Sequence, residues 1–144
     1  MNYIIKSPKT EQEWAKYFSF RWEQLRKPWN MPLESLKDDK EERSFHLIAL
    51  SNQNNVIATG RLHLIDPEEA QIRYMAVDKS MRREGVGSQI LLKLEEEANS
   101  KSVKKVVLNA RNTAIKFYKS FKYLEKGPYK SDTGIPHTRM EKKF

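Results

Sequence analysis

The sequence predicts an α/β (α+β) protein built on a mixed central sheet. Three observations carry this. Strand-like runs separated by turns lie between Phe45 and Val77 and read as an antiparallel meander. A strand, a helix and a second strand then follow between Ala70 and Asn109, a crossover that makes its two strands parallel. Two further apolar stripes recur at helical spacing: Trp14, Tyr17, Phe18, Trp22 and Leu25, then Ala114, Phe117, Tyr118 and Phe121.

In chain order, Asn2 to Lys6 is a short strand closed by Pro8, and Thr10 is placed to cap the helix that follows. Lys27-Pro28-Trp29-Asn30-Met31-Pro32 ends that helix, because each proline disfavours helical backbone in the residue before it. Glu34 to Arg43 is charge-rich and reads as a loop or a short exposed helix. Phe45 to Leu50 is a strand, and Ser51 to Asn55 is a turn by composition. Val56 to Ile65 is a longer strand, in which Gly60 suggests a bulge or a close approach. Asp66-Pro67-Glu68-Glu69 turns the chain into Ala70 to Val77. Val86, Ile90, Leu91, Leu94 and Ala98 mark a helix facing the sheet, and Lys104 to Asn109 is the strand after it. Tyr123 to Lys126 and His137 to Lys142 are the last strands, around a turn-rich stretch holding Gly127-Pro128 and Gly134. No repeat, low-complexity linker or internal boundary interrupts this order, so residues 1–144 read as one domain.

Composition narrows the function. The 144 residues suit a real core, and no apolar run approaches the ~18 residues needed to cross a bilayer. The first residues, Met-Asn-Tyr-Ile-Ile-Lys, have no long apolar core and no small-residue cleavage site, so no signal peptide is expected. Without cysteine there is no disulfide framework and no thiolate chemistry, which is compatible with the cytoplasm, the expected location. Three histidines and no cysteine make a structural metal unexpected. The net charge of +8 suits anionic partners: nucleic acid, membrane surfaces or a phosphorylated cofactor. The basic residues are spread along the chain with no nucleic-acid motif, and a solvated surface accounts for most of the lysines.

The densest signal is Arg82-Arg83-Glu84-Gly85-Val86-Gly87, between the strand ending at Val77 and the helix from Val86. A basic, glycine-bearing turn that opens a helix presents several N–H groups to one point. The helix terminus adds roughly half a positive charge there. Gly85 and Gly87 permit positive φ and close approach of a ligand, and Arg82 and Arg83 add charge-assisted hydrogen bonds. A P-loop would need Gly-Lys-Ser or Gly-Lys-Thr, which does not occur. A dinucleotide fingerprint would need a third glycine where Ile90 stands.

The pattern Arg-x-x-Gly-x-Gly after Met-Ala-Val resembles the acetyl-coenzyme A loop of the GNAT N-acyltransferases. A second segment, Leu108-Asn109-Ala110-Arg111 with Ala114-Ile115-Lys116-Phe117-Tyr118, resembles the strand-to-helix stretch that flanks the cofactor's thiol arm in that family. A third, Gly134-Ile135-Pro136-His137-x-x-Met140, resembles the C-terminal signature of the small ElaA-like branch. Many members carry a glycine-phenylalanine pair after the second of these helices, where this chain has Phe121-Lys122-Tyr123. The resemblance implies the GNAT acyl-CoA acyltransferase fold, in which the parallel strand pair splays apart and helices cover both faces. It implies acetyl-CoA lying in the opening, paired with Met75, Ala76 and Val77 like an added strand. The pyrophosphate is then expected over Arg82, Arg83, Glu84, Gly85, Val86, Gly87 and Ser88. The thiol arm is expected against Asn109, Asn112, Ala114, Phe117 and Tyr118.

By the same resemblance Tyr118 protonates the leaving thiolate, although its place on an apolar stripe also fits simple core packing. A base for the amine is not assigned. Glu41, Glu42, Glu84, His46, His63 and His137 are the candidates, and histidine suits proton removal near neutrality. Thr59, Arg61 and His63 share one strand face, which reads as a polar cluster or, more commonly, as a solvated face. The acceptor pocket implied by the family is bounded by Arg26, Trp29, Asn30 and Met31 on one side and Tyr129, His137 and Arg139 on the other, with His63 a further candidate. These cationic and aromatic groups suit an acceptor bearing a carboxylate; they equally suit packing and solubility. The leading function is N-acetyl transfer from acetyl-CoA to a primary amine of a small molecule or peptide. The alternative is a non-catalytic module that senses acyl-CoA through the same groove. Family members are often dimers, so a homodimer is a possible assembly.

Overall fold

The computed structural model describes residues 2–144. The elements run β1 (Tyr3–Lys6), α1 (Glu11–Leu25), β2 (Phe45–Ser51), β3 (Val56–Asp66), β4 (Glu69–Val77), α2 (Val86–Ser100), β5 (Lys105–Arg111), α3 (Ile115–Lys119), β6 (Leu124–Lys130) and β7 (Pro136–Lys143). The strands form one sheet in the order β1-β2-β3-β4-β5-β7-β6. Every neighbouring pair is antiparallel except β4 and β5, which are parallel. Among the described residues no helix is long and apolar enough to cross a membrane.

Local chemistry sets the helix ends. Thr10 Oγ1 accepts from the Glu13 amide at 3.0 Å, and Glu13 Oε1 accepts from the Thr10 amide at 3.3 Å, a reciprocal cap for α1. A 3₁₀ turn at Lys27–Trp29 ends it, closed by Asn30 in the left-handed region at φ 52°.

Alternation along the strands divides the core in two. Leu47, Ala49, Leu62, Ile72, Val106, Leu108 and Ala110 pack with Ile90, Leu91 and Leu94 of α2 and with Tyr118 of α3. Ile48 and Leu50 point the other way, onto Trp14, Tyr17 and Phe18 of α1. Gly60 lets α2 close onto the sheet: a Cβ there would lie 2.7 Å from Ile90 and 2.9 Å from Leu94. Opposite Gly60, β4 carries an extra residue. Thr59 pairs with Ala76 but Arg61 pairs with Arg73, and Tyr74 sits at φ 58°. The Thr59 hydroxyl donates to the Tyr74 carbonyl at 2.9 Å, so the bulged backbone is satisfied. Glu95 of α2 clamps the far strands: Tyr123 donates to it at 2.8 Å and Lys142 at 3.0 Å.

The face bearing Thr59, Arg61 and His63 is buried, not solvated. Arg21 and Arg61 are 0% exposed, which is tolerable only because carboxylates reach them. Glu41 accepts from Arg21 at 2.8 and 3.0 Å and from Arg61 at 2.8 Å. Asp38 accepts from Arg61 at 2.7 and 2.8 Å and from Arg73 at 3.0 Å. Residues 34–43 follow a looped path with two 3₁₀ turns, Leu33–Leu36 and Glu41–Arg43; Glu34, Asp39 and Glu42 are exposed as expected, but Asp38 and Glu41 turn inward. The Tyr74 ring lies beneath this layer, 3.6 Å from the Arg21 guanidinium and 4.9 Å from that of Arg61. Strand β6 also differs from expectation. It runs through Gly127-Pro128 to Lys130, which an outer strand allows because one of its edges needs no ladder donors.

Candidate active site

The parallel pair is short. Glu69, Ala70 and Gln71 pair with Lys105, Val106 and Val107, and beyond them the two strands part. From Ile72 to Val77, β4 keeps its ladder with β3 only, while Leu108 to Arg111 of β5 pair with β7. Met75, Ala76 and Val77 thus lie on a strand whose β5 side is open, able to pair with an extended ligand.

The turn before α2 stands at the end of β4. Arg82, Arg83, Glu84 and Gly85 are exposed, with Arg83 at φ 71° and Gly85 at φ 81°. Gly85 is the N-cap of α2 and supplies no side-chain cap, so the first-turn amides of Val86, Gly87 and Ser88 face outward without a helical acceptor. Gly87 departs from expectation: it has no positive φ, and its bare Cα instead admits Val77, 3.2 Å from where a Cβ would stand, and Phe117 at 3.7 Å. This packing draws α2, β4 and α3 together around the cleft mouth.

On the β5 side, Asn109 Oδ1 is buried without a hydrogen-bond partner. An unpaired buried amide oxygen costs free energy until a donor reaches it. The amides of a pantetheine arm are such donors, so the residues present fit acetyl-CoA. Asn112 accepts from Thr138 at 2.8 Å, and Ala114 follows it in the turn that leads into α3. The Tyr118 ring is packed edge-on to Phe117 and Tyr123, at centroid distances of 5.0 and 5.8 Å. Burial pushes its hydroxyl well above the ordinary phenol range, opposed by the Arg111 charge, so it holds its proton at neutral pH.

The acceptor candidates do not form one cluster. Arg26 donates from Nε to the Ser35 carbonyl at 3.1 Å and lies 5.7 Å from the Tyr74 ring. Trp29 is 41% exposed, with the Arg111 guanidinium 5.5 Å from its ring. His137, opposite Arg111 across the β5–β7 ladder, lines a hollow of about 330 Å³ with Asn112, Tyr129 and Thr138, and its Nδ1 donates to the Ile135 carbonyl at 2.7 Å. His63 is buried beside Arg61, whose Nη2 donates to its Nδ1 at 3.1 Å. Burial, then the Arg61 charge, holds its imidazole down to about 4. His46 is likewise a structural group. Its Nε2 donates to the Glu41 carbonyl and its Nδ1 accepts from Tyr17, each at 2.7 Å. Glu41, named among the base candidates, is bound by Arg21 and Arg61 and held below its usual range. Arg111 carries no signal of its own in the sequence, because its neighbours, Trp29 after α1 and His137 of β7, are brought to it by the fold.

Among the described residues no group of three histidine, aspartate or glutamate side chains is placed to hold a metal ion. A mixed sheet opened between two parallel strands, with a glycine turn at the mouth of the opening, is the architecture of the acyl-CoA N-acyltransferases. Escherichia coli ElaA superposes with a TM-score of 0.82 over 99% of both chains at 22% identity. An aminoglycoside 6'-N-acetyltransferase complexed with coenzyme A gives 0.79 at 14% identity, over 97% of this chain and 96% of that one. In sequence, the chain is 33% identical over 136 residues to the Bacillus subtilis protein named uncharacterized N-acetyltransferase YjcF, covering 93% of this chain and 95% of that protein. The model of the acetyltransferase (GNAT) family matches residues 14–123, and the chain belongs to that family.

Proposed function

We propose that this protein moves an acetyl group from acetyl-CoA to a primary amine of a small molecule or peptide, by direct attack in a ternary complex. The open side of β4 next to the outward-facing amides of Val86, Gly87 and Ser88 carries this reading. The cofactor supplies an activated thioester. The chain's own part is to hold the pantetheine along Met75 to Val77, satisfy Asn109 Oδ1, anchor phosphate on the turn, and keep a proton on Tyr118 for the leaving sulfur. The incoming amine attacks in its neutral form. Tyr118 gives its proton to the sulfur as the carbon–sulfur bond breaks, and the proton lost by the amine nitrogen passes through solvent to restore the phenol. The deciding experiment is an acceptor screen with acetyl-CoA across amino acids, polyamines, aminoglycosides and peptides, reading free thiol. Release that depends on acceptor supports transfer. Cofactor binding in calorimetry with no thiol from any acceptor is the signature of a sensor and overturns it.

The anchor has its own test. At φ 81° a valine is strained, while no protein atom lies within 4 Å of the added Cβ. Gly85→Val is therefore expected to fold, with the turn displaced and coenzyme A affinity lowered about tenfold, from the ~1–2 kcal/mol cost of left-handed backbone. Unchanged affinity by calorimetry in a folded variant would place the pyrophosphate elsewhere.

A further inference from the structure

Arg111 ends β5 on the face opposite to the α2-side core, since Val106, Leu108 and Ala110 point into that core. Its guanidinium is half-buried and lies 5.5 Å from the Trp29 ring, and His137 stands opposite Arg111 across the β5–β7 ladder. Arg82, in the turn before α2, and Arg26, at the end of α1, add like charge to that of Arg111 at the end of β5 and hold its value down after burial has done so. Among the described residues none of the three is ion-paired with a carboxylate, in a molecule whose buried Arg21 and Arg61 both are. A half-desolvated guanidinium among like charges is costly unless an anion joins it. Arg82 lies in the phosphate turn and Arg26 spends its Nε on Ser35, which leaves the whole Arg111 fork free.

We propose that Arg111, backed by Arg26, binds a carboxylate of the amine acceptor, so that the enzyme takes amino-acid-like acceptors and rejects polycationic amines. The proposal rests on the acetyl-transfer reading and names its substrate class. Arg111 lies 5.5 Å from the Trp29 ring and ends the strand whose next turn, Asn112–Ala114, leads into α3 and Tyr118, so a carboxylate held there lies on the side of the proton donor. Trp29 and Leu33, 41% and 66% exposed, offer apolar surface on the loop side for the rest of the acceptor. A polyamine or aminoglycoside brings more positive charge to an already cationic cleft and is repelled.

The test titrates coenzyme A-loaded protein with the proteinogenic L-amino acids. Isoamylamine and phenethylamine serve as the decarboxylated counterparts of leucine and phenylalanine, and spermidine as the polycation. Some amino acids are expected to bind, each amine counterpart at least about tenfold more weakly, and spermidine not at all. Arg111→Gln should weaken amino-acid binding by about ten- to a hundredfold and raise KM more than it lowers kcat. Arg111→Lys should recover part of the loss. Equal binding of the amine counterparts, no binding by any amino acid, or an unaltered Arg111→Gln overturns the proposal. So does an Arg111→Gln protein that loses only a preference for succinyl-CoA over acetyl-CoA, which would assign the carboxylate to the acyl group. If coenzyme A itself fails to bind in the loading titration, it is the acetyl-transfer reading that fails.

Discussion

Tyr118→Phe is expected to lower turnover by about 10²–10⁴-fold, the range for loss of a general acid. The ring is buried at 7% exposure and packed against Phe117 and Tyr123, so phenylalanine keeps the apolar area and the edge-on contacts. What it removes is the proton. A hydroxyl pushed up by burial stays protonated at neutral pH and can give that proton to a developing thiolate, with Arg111 nearby to steady the phenolate left behind. Coenzyme A affinity and thermal stability should change little. A packing-only role predicts the opposite order: Tyr118→Phe harmless to activity, and Tyr118→Ala destabilised by about 3–5 kcal/mol through a cavity. Steady-state rates on any acceptor found in the screen separate the two. Full turnover by the phenylalanine variant would remove Tyr118 from the chemistry.

Glu41→Ala is expected to destabilise the fold by about 3 kcal/mol or more, because it strips charge partners from two fully buried guanidinium groups. Urea midpoints measure this, and Glu41→Gln should lose less, since one carbonyl oxygen remains to accept. A loss under about 1 kcal/mol would mean that the layer is screened like a surface pair. The same groups set the response to acid. Asp38 and Glu41 are held below their ordinary carboxylate values, so their stabilisation is complete above those values and is lost as pH falls through the depressed ones. His63 has its folded value lowered from 6.5 to about 4, so it too favours the folded state above 6.5 and ceases to do so on the way down to 4. Stability should therefore begin to fall just below pH 6.5 and fall further in the carboxylate range. His63→Gln should reduce the first part of that decline and leave the share of His46, whose value burial also lowers.

Much of the architecture was legible because it is local. Thr10 announces its cap within three residues, Gly60 marks the close approach of α2 from within its own strand, and strand-helix-strand periodicity from Ala70 onward implies the parallel pair. The misreadings are long-range. The acids at Asp38 and Glu41 look solvated until Arg21 and Arg61, from a helix and a strand far along the chain, are brought beside them. Gly87 reads as a flexible residue in the sequence, and only the meeting of Val77 and Phe117 gives it a steric reason. Gly127-Pro128 reads as a turn unless β6 is known to lie at the sheet's edge. At the site, β4 and β5 part beyond Gln71, and Gly87 of α2 packs on Val77 of β4 and Phe117 of α3. The acceptor side is harder to read: His63 is buried beside Arg61, and the cation beside the Trp29 ring is Arg111, which faces His137 across the ladder. Periodicity and motif spacing carry no information on which distant charges will share a volume.

The three-pair join between β4 and β5 also has a mechanical meaning. It is a seam in an otherwise continuous sheet, crossed by few backbone hydrogen bonds and bolted from behind where Glu95 of α2 holds Tyr123 and Lys142. Cooperative units tend to divide where backbone pairing is thinnest. In native-state hydrogen exchange, the amides of β5 and β7 should open together, at a lower free energy than those of β2 and β3, and Glu95→Gln should widen that gap. Identical opening energies on both sides would mean that α2 welds the halves into one unit. With a separable seam, an extended ligand bridging β4 and β5 becomes a structural strut, and its arrival should slow exchange in the half that holds β5, β6 and β7.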